Sequence, residues 1–243
     1  MKEHSYTSLN FSSQPMVSPS ITIMNIMSEI MVIRALYVAT RLRLAEYIGD
    51  KPLALAELAA AVKSDPTTLL SLLRALASIG IFAETDPQTH TFANTQLSWS
   101  LHFDTPGSMR AIVLLWGADY QWEAWQRLEE TVRTGQAAFP AHHGGKTIWS
   151  YLEAHSDDEH IFSTAMTAMS SSINPLILEH YDFSTYRIVV DIGGGYASLL
   201  HELLAHYSHL SAILLDRPSV VEDVKVLYPR KLFRLDLSDT LKS

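Results

Sequence analysis

A glycine turn between an apolar strand and a helix constrains the fold of this chain most strongly. Residues 187–191 form a short β-branched apolar run that ends in Asp191, which is typical of a buried strand. Three glycines follow at residues 193–195, and a helix is expected from about Ala197. Residues 212–216 form a second apolar run that also ends in an acid. The pattern predicts a β-α-β unit of a parallel sheet.

Three classes of ligand use such a unit, and the residue types separate them. A P-loop requires Gly-Lys-Ser/Thr after the turn, which this turn lacks. A dinucleotide fingerprint requires Gly or Ala where Ser198 stands, and the 25 residues from Asp191 to Asp216 are long for that motif. S-adenosylmethionine has no phosphates and needs close approach of the backbone, which glycine allows. A glycine turn with only a structural task is the remaining alternative.

The S-adenosylmethionine interpretation gives each residue of the turn a task. Asp216, at the end of the second predicted strand, can accept hydrogen bonds from both ribose hydroxyls. Asp191 can orient the turn or the ammonium group of the ligand. Gly193, Gly194 and Gly195 leave room for the ligand. We therefore predict a cofactor-binding site for S-adenosylmethionine at these five residues.

The N-terminal region has the pattern of a winged helix. Apolar residues recur at helical spacing over residues 21–47 and cover more than one side, so a partner subunit is one way to bury this helix. The second helix of the pattern has Asp65 as its cap before Pro66, and Gly80 ends it. Helix, turn, helix and a two-stranded wing form the winged-helix arrangement. The elements predicted after residue 47 are helices at 55–62 and 67–79 and strands at 81–83 and 91–92.

Charge argues against DNA as the partner of this region. Residues 21–100 contain six basic and seven acidic residues, and the expected recognition helix has a single arginine, Arg74. A helix that reads a DNA groove needs several donors. The whole chain has a net charge of −8, which repels phosphate backbones. We expect a packing and dimerisation module without a nucleic-acid partner, and a winged-helix regulator is the weaker alternative.

The middle of the chain is predicted to be helical. Residues 109–135 are predicted to be helical and are rich in aromatic residues, and residues 137–147 are predicted to form a loop. This loop contains His142 and His143, which do not make a metal site without further ligands. A helix is expected from residue 157 to about residue 180. Its Met166 belongs either to the core or to a pocket wall.

Composition limits the compartment and the chemistry. The chain has no cysteine, which excludes disulfides, thiolate catalysis and Cys-ligated zinc and fits a reducing compartment. No run of about 18 uncharged apolar residues is present, so neither a transmembrane helix nor a membrane partner is expected. Residues 1–19 lack the pattern of a secretory signal, and we expect a flexible arm and a cytoplasmic protein.

Taken in order, these motifs resemble the class I O-methyltransferases that join an N-terminal winged-helix dimerisation domain to a Rossmann-like catalytic domain. The resemblance covers about residues 21–224 and implies a mainly helical part followed by an incomplete α/β part. The implied divisions are an arm (1–20), a dimerisation domain (21–105), a helical linker and pocket region (106–180) and a partial S-adenosylmethionine-binding domain (181–243). The stretches that carry the resemblance are 125–135, 143–144, 162–170, 181–183, 189–195 and 215–221.

The resemblance also implies roles for the site residues. Asp191, Gly193 and Gly195 would line the methionine end of the cofactor, Asp216 would hold the ribose, and Met166 would lie near the methyl donor or acceptor. The implied acceptor is a phenol, enol or carboxyl group of a small molecule, and the implied assembly is a homodimer. Two residues depart from the family pattern: Ala197 stands in place of a glycine, and Arg217 stands in place of an apolar residue.

The C-terminal part of the family pattern is not found in this sequence. Only three strands can be placed, and the resemblance puts the family's general-base histidine in the unmatched half. His201, His206 and His209 belong to the cofactor-side helix region and do not suit that role. We therefore expect a C-terminally truncated chain that is inactive alone or is completed by a complementing chain. The alternative is a non-catalytic dimerising or metabolite-binding protein.

Overall fold

The chain consists of helices around a small antiparallel sheet, followed by further helices and a parallel sheet. The computed structural model describes residues 18–103, 105 and 107–227, and the backbone of strand 232–236. Most of the predicted arm lies outside these residues. The elements of the first part are α1 (Pro19–Arg41), α2 (Leu44–Ile48), β1 (Leu53–Ala54), α3 (Leu55–Ala61), α4 (Pro66–Ala77), β2 (Phe82–Asp86), β3 (Thr91–Asn94) and α5 (Gln96–Trp99).

The first part has its own core beneath an antiparallel sheet of order β1-β3-β2. Residues from α2, α3, α4 and the two longer strands form this core, among them Leu44, Leu58, Leu73, Phe82 and Phe92, all nearly or fully inaccessible. Helix α4 starts as predicted, because the Asp65 carboxylate accepts a hydrogen bond from the Thr68 backbone N–H (2.8 Å). The winged-helix interpretation itself stays a prediction.

The helix predicted over residues 21–47 is two helices. The chain turns at Arg43, whose φ of 58° lies in the left-handed region, and α2 starts after it. Only the C-terminal end of α1 is buried in this chain, at Tyr37, Ala39 and Thr40. The N-terminal turns of α1 present an apolar face to solvent, which consists of Ile21, Ile23, Met24, Ile26, Met27, Ile30, Met31 and Ile33.

The middle of the chain consists of more and shorter helices than the sequence predicts. Residues 109–135 are helical as predicted but form three helices, because Ala118 is extended (ψ 143°) and Arg127 interrupts the helix a second time. The loop predicted at 137–147 includes a short helix, and the helix predicted from 157 to 180 breaks at residues 171–173. The elements are α6 (Arg110–Gly117), α7 (Asp119–Gln126), α8 (Leu128–Thr134), α9 (Ala138–His142), α10 (Ile148–Glu153), α11 (Ser156–Ser170) and α12 (Asn174–His180).

The C-terminal part is the predicted β-α-β unit with one further helix and strand. It comprises β4 (Ile188–Ile192), α13 (Ser198–His206), β5 (Ser211–Asp216), α14 (Pro218–Leu227) and β6 (Leu232–Asp236). The strands are parallel in the order β4-β5-β6, so Asp191 pairs in register with Leu214. Helices α13 and α14 cover one sheet face with Leu200, Leu203 and Val224.

Among the described residues, β4 is an edge strand of the parallel sheet. The side chains of β4 that point away from α13 and α14 are exposed to solvent. Ile188, Val190 and Ile192 are 58%, 53% and 72% exposed. Parallel sheets normally have both faces covered, because their strands are apolar on both sides. We call these three side chains and the free edge of β4 the β4 surface.

Within the residues that the structure describes, two helical stretches are long and apolar enough to cross a membrane by length and composition alone. They are Pro19–Arg41 and Ser156–His180, the second counted across the break between α11 and α12. The sequence criterion of an uncharged apolar run was therefore too strict to exclude such segments. Core helices of soluble proteins pass the same test. The absence of a membrane partner stays a prediction.

Candidate functional site

The ends of β4 and β5 open into a cavity of about 700 Å³ between the parallel sheet and helices α10, α11 and α12. We call it the glycine-turn cavity. Its lining includes all six residues predicted for the cofactor site, so the structure brings together residues that are up to 50 positions apart in sequence. These residues are Met166, Asp191, Gly193, Gly194, Gly195 and Asp216.

The three glycines meet two different requirements. Gly193 and Gly195 have φ values of +75° and +56°, a region that disfavours side chains, and space beyond them is open. Gly194 has an ordinary φ, but a Cβ atom there would overlap the Asp191 carboxylate and lie 2.9 Å from Leu214 Cδ1. The turn therefore exposes its backbone to the cavity and passes close to Asp191.

Ala197, the departure from the family glycine, has a different consequence from the one its sequence position suggests. Its backbone has φ 58° and ψ 30°, and the residue is fully buried at the start of α13. A glycine adopts this left-handed conformation without cost, whereas alanine is strained in it by about 1 to 2 kcal/mol. The methyl group faces the core of the sheet and does not line the glycine-turn cavity.

Asp216 ties the glycine turn to the end of β5. Its Oδ2 accepts a hydrogen bond from the Gly195 N–H (2.8 Å), and its Oδ1 accepts one from the Arg217 N–H (2.7 Å). An ionised carboxylate has about four lone-pair positions, so each oxygen retains capacity for one further donor. The carboxylate is thus preorganised by backbone and can still accept two hydroxyl groups.

Asp191 is a half-buried acid beside a second acid. Burial raises the pKa of the Asp191 carboxyl, and the negative charge of Asp216 raises it further. Both effects disfavour the ionised form. A cationic ligand group placed at Asp191 would relieve this cost, which fits the ammonium group of S-adenosylmethionine better than a phosphate.

The other end of the glycine-turn cavity is apolar. Met166 of α11 lies there with Phe162 and with Trp149 of α10. The rings of Trp149 and Phe162 meet edge to face, with centroids 5.6 Å apart and planes at 89°. The sequence did not predict Trp149 as a site residue, because an isolated aromatic residue in a short helix carries no pattern.

Asn174 is a second residue that sequence reasoning missed. It is buried, lines the cavity and donates hydrogen bonds from Nδ2 to Ser198 Oγ (3.3 Å) and Glu202 Oε1 (3.0 Å). These contacts join α12 to the first turns of α13 and fix the helix that follows the glycine turn. Hydrogen bonds between distant helices leave no trace in local periodicity.

None of the histidines in the described part of the chain lines the glycine-turn cavity. His142 Nε2 and His143 Nε2 lie 3.7 Å and 3.6 Å from the same Glu123 oxygen, away from the glycine turn. Over the described residues no group of three or more His, Cys, Asp or Glu side chains could hold a metal ion. His201, His206 and His209 are also not among the residues that line the glycine-turn cavity.

A glycine turn flanked by two strand-end carboxylates defines a nucleoside-binding site of Rossmann type. Two family models match the chain: an O-methyltransferase dimerisation domain over residues 24–104 and an O-methyltransferase domain over residues 125–234. The chain belongs to the O-methyltransferase family. The fold expected from the resemblance, a helical dimerisation domain followed by an incomplete Rossmann-like domain, is thereby confirmed.

The relatives include enzymes that modify antibiotics. A phenazine O-methyltransferase of Lysobacter antibioticus is 35% identical over 79% of this chain and 55% of its own length. The crystal structure of LaPhzM superimposes with a TM-score of 0.86 at 30% identity, covering 90% of this chain and 67% of that one. A methyltransferase of calicheamicin biosynthesis in its SAH-bound form has a TM-score of 0.70 at 25% identity, covering 91% and 67%. The chain thus spans about half the length of the curated relatives that it matches.

Proposed function

We propose that this chain is the S-adenosylmethionine-binding half of an O-methyltransferase that acts on a small molecule. The observation that carries the proposal is Asp216, which is fixed by two backbone N–H groups at the edge of the cavity with hydrogen-bonding capacity left on both oxygens. Asp216 would hold the two ribose hydroxyls, and Asp191 would hold the ammonium group. The SAH-bound relative supports the same ligand class.

The proposed reaction places an acceptor oxygen against the methyl donor. Bound S-adenosylmethionine supplies an electrophilic methyl group on a sulfonium. The residues of this chain would bind the cofactor, and Trp149, Phe162 and Met166 would exclude water from the acceptor side. Holding two reactants in contact removes much of the entropic barrier to transfer. A phenol, enol or carboxyl group fits this apolar end.

Proton removal is the step for which the cavity offers no histidine among its described lining residues. A phenol needs a general base when it attacks the methyl group, whereas an ionised carboxylate does not. We propose that phenol and enol acceptors require a complementing segment that brings the base. A non-catalytic metabolite-binding protein is the alternative that this same observation favours.

The β4 surface is where such a segment would dock. In the doubly wound fold the first three strands have the order 3-2-1 and the fourth strand pairs beside the first. Strand β4 corresponds to the first strand of that order. A fourth strand would therefore pair with the free edge of β4, beside the exposed side chains of Ile188, Val190 and Ile192. The relatives contain the additional length that this pairing requires.

We further propose a homodimer formed through α1 in a cytoplasmic protein. Most of the exposed apolar face of α1, from Met24 to Ile33, lies within the region that matches the O-methyltransferase dimerisation domain. A second copy would bury this face, which a monomer leaves in water at a cost of about 25 cal/mol per Å². The absence of cysteine agrees with a reducing compartment.

Calorimetry with S-adenosylhomocysteine tests the cofactor proposal directly. The wild-type chain is expected to bind this product, and Asp216→Ala is expected to lose binding because the ribose hydroxyls lose their acceptor. Asp182→Ala is the control, since Asp182 is an exposed acid outside the cavity whose partner is Ser184. A folded wild-type protein without affinity, or an unchanged affinity in Asp216→Ala, would refute the assignment.

A further inference from the structure

Arg217, the second departure from the family pattern, connects the two ends of the glycine-turn cavity. Its backbone N–H donates to Asp216 Oδ1 (2.7 Å). Its guanidinium reaches α11, where Nη1 lies 2.7 Å from Glu159 Oε1. The same guanidinium lies over the ring of Trp149, with Cζ 5.4 Å from the centroid. One residue therefore contacts both the carboxylate proposed for the ribose and the aromatic wall of the acceptor side.

Glu159 is the buried anchor of this arrangement. Its side chain is 8% exposed in the first turn of α11, and that of Arg217 is 17% exposed. Glu159 Oε1 also accepts a hydrogen bond from Ser219 Oγ (2.9 Å) at the start of α14. Desolvation largely offsets the attraction of a buried ion pair, so such a pair contributes more to fixed geometry than to stability.

Trp149 needs a contact of this kind to hold one orientation. Half of its surface is exposed, and Phe162 supports one side of the ring edge to face. The guanidinium of Arg217 supplies a planar cation above the ring, a geometry that favours arginine over lysine. Without that contact the indole would be free to change rotamer within the cavity.

We propose that Glu159, Arg217 and Ser219 form a clasp that positions Trp149 and couples its orientation to occupancy of Asp216. Arg217 is then a positioning residue: its backbone is held by the ribose-binding carboxylate, and its side chain holds the acceptor wall. The coupling rests on the proposed function, because it requires S-adenosylmethionine or its product at Asp216. The clasp itself exists in the ligand-free protein and can be tested there.

Acrylamide quenching of Trp149 fluorescence tests the clasp without ligand. The Trp149 signal is the difference between each protein and the same protein with Trp149→Phe. Arg217→Met and Glu159→Gln are expected to raise quenching roughly two- to fivefold, the change that loss of one cation–π contact supports. Arg133→Met is the matched control, because Arg133 pairs with Glu129 on the exposed face of α8. Compared with Arg217→Met, Arg217→Lys should restore the thermal stability of the protein but only part of the protection of Trp149 from acrylamide.

Titration with S-adenosylhomocysteine tests the coupling. In the wild-type protein the ligand should further protect Trp149, and in Arg217→Met it should bind with affinity reduced less than tenfold but without that protection. Unchanged quenching in both ligand-free variants would overturn the clasp. Protection that persists in Arg217→Met would overturn the coupling. A wild-type protein that shows the clasp but binds no ligand would refute the proposed function and the coupling, and leave the clasp standing.

Discussion

At the scale of single residues, Asp191 joins the chemistry of the site to the stability of the fold. The folded-state pKa of its carboxyl is raised by burial and by the charge of Asp216. Ionisation therefore costs folding free energy as the pH rises from the ordinary carboxyl pKa through the raised folded-state value. The fold thus loses some stability because it holds a carboxylate at the position where a cationic group of the ligand would bind.

Asp191→Asn should therefore stabilise the ligand-free protein at neutral pH and weaken binding of S-adenosylhomocysteine. The gain in midpoint of denaturant unfolding should shrink as the pH falls towards the ordinary carboxyl pKa, because the wild-type acid then becomes neutral as well. Asp182→Asn is a control for which the stability change at neutral pH should have the opposite sign. Hydrogen bonds from Ser184 lower the pKa of Asp182, so its ionised form favours the folded state. A stability difference that is constant with pH would contradict the assignment.

The residues of the site could be predicted from sequence only where the order of strands along the chain brings them together. Parallel strands end at the same edge of a sheet, so the acids at residues 191 and 216 were predictably neighbours. The clasp was not predictable, because Glu159 and Ser219 are 60 positions apart and meet only in the folded chain, where the start of α14 approaches α11. Arg217 was noticed as a departure, but its partners were invisible in the sequence.

At the scale of elements, the same limit explains the broken helices. Residues 109–135 are predicted to be helical, yet the chain leaves the helix at Ala118 because α6 is fixed between α1 and α11. The contact with α1 is tight: Arg34 Nη1 donates to the Gly117 carbonyl (2.6 Å), and the Tyr37 ring lies against Gly117 Cα. The C-terminal end of α6 is therefore set by its contact with α1 and not only by a helix-breaking residue in its own sequence.

Gly117→Ala should destabilise the protein although alanine is the better helix former. The new Cβ atom would overlap the Tyr37 ring and lie 2.7 Å from Tyr37 Cβ. Overpacking of this kind costs about 1 to 3 kcal/mol. Urea unfolding measures the change, with Thr134→Ala on exposed α8 as the control. An unchanged unfolding free energy would mean that α1 and α6 can separate without loss.

At the scale of the whole molecule, the described residues include exposed apolar surfaces on α1 and on β4, and we propose that each binds a partner. We expect Ile30→Glu on α1 to convert a dimer into a monomer, because it places a charge in the proposed interface. Sedimentation velocity measures the change, and Glu29→Gln on the same helix is the control. A monomeric wild-type protein, or a variant that remains dimeric, would contradict dimerisation through α1.

The β4 surface makes a separate prediction, because the two surfaces lie on different domains. Coexpression with the part of the Lysobacter antibioticus phenazine O-methyltransferase that this chain does not match should give a copurifying complex. Amide hydrogen exchange in β4 should then slow, since its free edge gains a parallel neighbour.

Substitutions distinguish docking at β4 from nonspecific association. Val190→Arg and Ile192→Arg should abolish copurification while leaving the thermal midpoint of this chain nearly unchanged, because both side chains are already exposed. Val226→Arg on α14, where the side chain is 82% exposed, should have no effect on either measurement. Equal loss of the complex in Val226→Arg, or its persistence in Val190→Arg, would place the docking segment elsewhere. A complex that also gains methyl transfer to a phenol would assign the general base of the proposed reaction to the added segment.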